Sequence, residues 1–82
     1  MKYNYSKHSL EQMALRGISQ EQVDLTIKSF DKCLTESEGQ YVYQKVFVFD
    51  KESYLIRVFI NKDKEPPLIK TVYKTSKIDK YQ

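Results

Sequence analysis

His8 is the only histidine in this 82-residue chain, and histidine is the side chain whose unperturbed pKa lies closest to physiological pH. It sits in the segment Ser6-Lys7-His8-Ser9-Leu10-Glu11-Gln12-Met13-Ala14-Leu15-Arg16-Gly17-Ile18-Ser19, where His8, Gln12 and Arg16 recur every four residues. On a helix that spacing makes one polar stripe. Lys45 and Arg57 follow, and then Thr71, Tyr73, Ser76 and Lys77 in a lysine-rich C-terminal stretch. Metal-free cleavage of an RNA phosphodiester has modest needs that these residue types meet. It takes a base for the 2′-hydroxyl, cations for the phosphorane-like charge, and hydroxyls that orient the phosphate. His8 suits acid–base work. Arg57, Arg16 and Lys45 are candidate cations, arginine being the better bidentate partner of a phosphate. Thr71, Tyr73 and Ser76 supply hydroxyls, and Lys77 adds a charge beside them.

Each of these residues also has a plain structural reading. The stripe is expected largely opposite Leu10, Met13 and Ala14, which makes it a solvated face. Tyr73 suits a core, Arg57 an exposed cross-strand position, and Lys45 an edge charge that discourages aggregation.

Other chemistries have less to work with. One histidine, one cysteine and no His-x-x-x-His or Cys-x-x-Cys pair leave too few ligands for tetrahedral zinc, so no metal or other cofactor is expected. Gly17 and Gly39 are the only glycines, so there is no glycine-rich phosphate loop. No nucleophile motif supports Ser-His-Asp hydrolysis. Cys33 stands alone, which forbids an intramolecular disulfide; a small, partly buried apolar role is expected of it. A helix-turn-helix DNA reader fits the opening superficially, but Glu21 and Asp24 against Lys28 are a poor charge for a major groove.

Charge is distributed unevenly. Residues 1–40 hold five Lys/Arg and six Asp/Glu, whereas residues 41–82 hold nine and five. Within 70–82, Lys70, Lys74, Lys77 and Lys80 face only Asp79. A cationic C-terminal half favours a polyanion such as RNA through counterion release, although a lysine-rich surface also serves solubility. Met1-Lys2-Tyr3-Asn4-Tyr5 leads directly into polar residues without a signal-peptide pattern. No apolar run approaches the ~20 residues of a membrane helix. A reducing cytoplasm and no membrane partner are the expectation.

The positioning elements are legible from caps and periods. Eighty-two residues with seven tyrosines and four phenylalanines suit a single domain, 1–82, with one core. Ser6 is an N-cap, Leu10, Met13, Ala14 and Gly17 recur with helical spacing, and Gly17 suits a left-handed stop. Ser19 and Gln22 form a capping box for a second helix, with Ile18 and Val23 as its hydrophobic staple and Val23, Ile27 and Phe30 as its apolar face. Thereafter the pattern alternates. Strands are expected near 32–36, 41–49, 54–61 and 68–75, with a turn at Ser37-Glu38-Gly39 and Pro66-Pro67 stiffening the last entry. A symmetric hairpin centred on Asp50-Lys51-Glu52-Ser53 would pair Phe49 with Tyr54, Lys45 with Val58, and Val46 with Arg57. The Tyr43, Phe47, Ile56 and Ile60 face then belongs to the core and Arg57 to the opposite face. Whether Thr71 and Tyr73 share that face depends on an unread register. The expected fold class is α+β, with two N-terminal helices on a four-stranded antiparallel meander.

His8-Ser9-Leu10-Glu11-Gln12-Met13-Ala14-Leu15-Arg16-Gly17-Ile18-Ser19, Tyr54-Leu55-Ile56-Arg57-Val58 and Thr71-Val72-Tyr73-Lys74-Thr75-Ser76-Lys77 together resemble a bacterial family of uncharacterised domains. The likeness covers nearly the whole chain. That family in turn resembles the RelE and BrnT toxins, within the barnase–EndoU–colicin–RelE group of metal-independent RNases. The resemblance implies a RelE-like fold and a site drawing His8 and Arg16 from the first helix and Arg57, Thr71 and Tyr73 from the strands. It also implies a protein antitoxin as a partner. Gln12 departs from the pattern, which usually carries arginine there, and activity would be weakened or lost if that arginine contacts phosphate. The competing expectation is a non-catalytic relative that binds a protein through an exposed sheet edge.

Overall fold

The computed structural model describes residues 3–81. In chain order it contains β1 (Asn4–Tyr5), α1 (Lys7–Arg16), α2 (Gln20–Lys28), β2 (Lys32–Ser37), β3 (Gln40–Phe49), β4 (Glu52–Asn61), β5 (Leu68–Thr75) and a final 3-10 turn (Ile78–Lys80). The expected caps are present. The Ser6 hydroxyl accepts from Ser9 N, and Gly17 ends α1 at φ 65°. Both halves of the Ser19–Gln22 capping box form. Gln22 does more than cap, because its Nε2 donates to the Tyr54 hydroxyl at 2.9 Å and ties α2 to β4.

The sheet is five-stranded in the order β1-β5-β4-β3-β2. Four strands form the expected antiparallel meander. The fifth corrects the expectation: Asn4 and Tyr5 pair in parallel with Leu68 and Ile69, so the sheet is mixed. Two residues carry no readable periodicity, which is why β1 escapes a pattern search.

The β3–β4 register is also corrected, by two residues. Asp50 and Lys51 have φ of 51° and 67°, the pair of positive values that a two-residue hairpin of the I′ kind requires. Phe49 therefore faces Glu52, Phe47 faces Tyr54, and Gln44, not Val46, faces Arg57. A shift of two preserves the faces. Tyr43, Ile56, Val58 and Ile60 join Met13, Ile18, Val23, Ile27, Ile69 and Val72 in the core beneath the helices. Val23, Ile56, Val58 and Val72 are fully buried; truncating Ile56 to alanine typically costs about 2–5 kcal/mol.

The phase of α1 differs from its apolar pattern. Ser9 and Met13 are its buried residues, whereas Leu10, Ala14 and Leu15 remain exposed. Ser9 tolerates burial because its hydroxyl donates to Ser6 O at 2.8 Å. A small side chain there also brings the helix close to β5. The Gln12–Arg16 line therefore flanks the buried line instead of opposing it. Cys33 is exposed, not partly buried. Phe30, expected on the inner face of α2, is exposed but tilts against Tyr43 with ring centroids 5.0 Å apart.

Candidate functional site

Alternation along β4 sends Arg57 to the sheet face away from the helices. The β4–β5 register then settles which residues accompany it. Arg57 pairs with Tyr73, and Phe59 pairs with Thr71. Both hydroxyl residues therefore share the Arg57 face.

That face is covered in part by the end of the chain. Arg57 Nε donates to Gln44 Oε1 at 3.1 Å, and Gln44 Nε2 donates to Tyr81 O at 2.9 Å. Gln44 is completely buried, so both ends of its amide need the partners they have. The guanidinium carbon of Arg57 lies 4.4 Å from the centroid of the Tyr81 ring and 5.2 Å from that of Phe59. Such contacts hold a cation against aromatic faces. Tyr81 meets Tyr73 edge to face at 6.2 Å.

Arg16 reaches the same aromatic pair from the helix. The α1 helix runs along β5: Ser6 Oγ donates to Lys70 O at 2.8 Å, and Arg16 Nη1 donates to Lys74 O at 3.3 Å. Ten helical residues span about 15 Å, close to the roughly 13 Å of strand between residues 70 and 74. The match delivers Arg16 to Tyr73, its guanidinium carbon 5.0 Å from the ring centroid. Gln12 Oε1 accepts from Arg16 Nε at 3.1 Å and steadies it. Hydrogen bonding with the Tyr81 side chain, assisted by Thr75 and by the Arg16 and Lys80 charges, holds the Tyr73 phenol below its ordinary pKa.

The candidate residues are thus not all gathered. Arg57, Thr71 and Tyr73 share the sheet face away from the helices, and Arg16 reaches Tyr73 from α1. His8 is exposed in the first turn of α1, near the end fastened to Lys70. Lys45 lies on the opposite sheet face, where Nζ donates to Ser29 O at 3.0 Å and caps α2; β3 is interior to the sheet, so Lys45 is not an edge charge. Ser76 lies beyond β5 and lines a surface cleft of about 410 Å³ with Arg16 and Lys74. Lys77 lines a neighbouring cleft of about 460 Å³. Gln44 and Tyr81 join the site without being among the sequence candidates. On the face formed by Val42, Gln44, Val46 and Val48, the single polar residue is a signal for Gln44 once the hairpin is centred on Asp50-Lys51. Tyr81 carries no such signal. Among the described residues, no three His, Cys, Asp or Glu side chains cluster as a metal would require, and no helix is long and apolar enough to cross a membrane.

Fold and site define a small α+β domain with an arginine–tyrosine cluster on the sheet face away from its helices. The chain belongs to the family described as Domain of unknown function (DUF4258), whose model matches residues 5–74. No curated protein and no solved structure matches it. The matched range contains Arg16, Arg57, Thr71 and Tyr73 but stops before Tyr81.

Proposed function

We propose that this protein is a RelE-like, toxin-type domain of the cytoplasm that binds RNA and cleaves it without a metal ion. Arg16 and Arg57 hold the RNA backbone, Thr71 and Tyr73 orient it, and His8, about 12 Å along α1 from Arg16, exchanges the proton on a strand that runs from this cluster to the Lys70 end of the helix. The observation that carries the reading is the approach of two guanidinium groups to one tyrosine pair, Arg16 on Tyr73 and Arg57 on Tyr81. Arginine is always charged and presents five donors. Arg16 uses two of them within the protein, at Gln12 and Lys74 O, and Arg57 uses one, at Gln44. The remainder are available to phosphate oxygens. Lys45 has no part in this site, since its ammonium is engaged at the end of α2.

The test is incubation of the purified protein with diverse RNAs, including ribosome-bound mRNA, in excess chelator. Cleavage near neutral pH is expected, with products ending in a cyclic phosphate. His8→Ala should abolish it while leaving the circular dichroism spectrum unchanged. RNA that stays intact under all these conditions removes the enzymatic reading.

A second reading has its own support. Five of the six residues of β2 are exposed, and the outer edge of this strand pairs with nothing among the described residues. Such an edge suits strand addition by a protein partner, such as an antitoxin. A non-catalytic domain of this kind would bind that partner and leave RNA uncut.

A further inference from the structure

The cleft containing Arg16, Lys74 and Ser76 adjoins the one containing Lys77 and Lys80, and Ser53 and Ser76 line both. Meeting at these two serines, they form a groove at the β4–β5 end of the sheet. Four cations line it, Arg16, Lys74, Lys77 and Lys80, against two carboxylates, Glu52 and Asp79. Lys70, the other lysine of the basic segment, turns elsewhere, its Nζ 3.9 Å from Glu36. Cations with flanking hydroxyls track a phosphodiester backbone, not a neutral ligand.

One further feature is hard to explain by solubility. Phe49 lines the groove at the hairpin tip with 73% of its surface exposed. Leu15 and Val48 are exposed to a similar degree, but of these three apolar side chains only Phe49 lines the groove. Aromatic platforms next to basic grooves are how proteins hold single-stranded nucleic acid, the base stacking on the ring while the backbone follows the charges. A duplex hides its bases and offers such a ring nothing to stack on.

The geometry points to a single-strand site: an RNA strand lies along the Arg16–Lys74–Lys77–Lys80 groove with one unpaired base stacked on Phe49. Arg16 belongs to both this groove and the Tyr73 cluster, so the strand leads from the proposed cleavage site toward the hairpin tip. The inference rests on the RNA reading given above and names the form of RNA it takes.

Fluorescence anisotropy with a labelled ten-nucleotide single-stranded RNA and a ten-base-pair RNA duplex tests it. The single strand should bind more tightly. Phe49→Ala should weaken that binding roughly 5- to 150-fold, the range found on removing one stacking ring, and Phe49→Trp should restore it. Joint replacement of Lys74, Lys77 and Lys80 by alanine should flatten the dependence of log affinity on log salt by about 0.7 for each lysine that meets a phosphate. Phe49 is exposed, so its loss leaves the fold standing.

Equal affinity for strand and duplex overturns the inference. So does Phe49→Ala binding like the native chain while Arg57→Gln weakens binding, a result that spares the RNA reading. Tight single-strand binding without cleavage upholds the groove and removes the proposed chemistry. Polyglutamate that competes fully with the RNA, and binds Phe49→Ala unchanged, assigns the groove to an acidic protein and overturns the inference.

Discussion

Gln44 and Arg57 stand directly opposite each other on β3 and β4, and the buried amide of Gln44 joins the Arg57 guanidinium to the backbone of Tyr81. One side chain thereby fastens the middle of the sheet to the segment that follows the Ile78–Lys80 turn. Gln44→Leu keeps the approximate volume but strands Arg57 Nε–H and the Tyr81 carbonyl. Losing such buried partners costs about 1–3 kcal/mol. Urea unfolding should report that loss, and the Tyr81 N–H, which donates to Ile78 O in the final turn, should exchange faster once that turn is unfastened from Gln44.

Tyr73 gives a spectroscopic prediction. Its phenol is lowered from the usual value of 10.0, first through Tyr81, whereas burial raises those of Tyr3 and Tyr5. Tyrosinate absorbance should therefore begin to rise below the ordinary range, and Tyr73→Phe should remove that early component. The folded state releases this proton before the unfolded state does. Its contribution to stability is accordingly absent below the lowered pKa, grows as pH rises toward 10, and persists above it. Tyr3 and Tyr5 act in the opposite sense and favour unfolding as pH rises past 10.

The two glycines should respond differently to alanine. Gly17 has φ +65° with nothing near the position of an added Cβ, so Gly17→Ala meets backbone strain alone, about 1–2 kcal/mol. Gly39 has φ +76°, and an added Cβ would strike the Asp63 carboxylate as well. Chemical denaturation should rank Gly39→Ala as the less stable of the two.

Lys45 separates a helix cap from a phosphate contact. Lys45→Met should lower stability by about 0.3–1 kcal/mol through the lost charge at the C-terminus of α2. RNA affinity and its salt dependence should stay unchanged in anisotropy titrations.

Much of the fold is legible because its local signals agree. Ser6, Gly17, Ser19 and Gln22 mark helix ends through capping chemistry that needs no tertiary context. Alternation sorts Tyr43 and Ile56 from Gln44 and Arg57 in the expected and the observed register alike, because the two differ by two residues. What escapes depends on single events. The hairpin register turns on Asp50 and Lys51 adopting positive φ without a glycine. The phase of α1 turns on Ser9, whose hydroxyl is satisfied by Ser6 and so can enter the core. Arg57, Thr71 and Tyr73 are recognisable as residue types, but their shared face depends on a β5 register interrupted by a bulge between Phe59 and Ile60. Tyr81 completes the cluster from a segment with no periodicity at all.

Under the proposed function, Arg16 and Arg57 serve one phosphate site. A double-mutant cycle on RNA affinity tests it most directly, with Arg16→Gln, Arg57→Gln and the combined variant titrated against the same single-stranded RNA. Each single change should weaken binding by roughly 10- to 100-fold, the loss expected for a charge-assisted hydrogen bond, and the double variant should lose less than the product of the two. RNA affinity unaltered by Arg57→Gln, in a protein that remains folded, would contradict the claim.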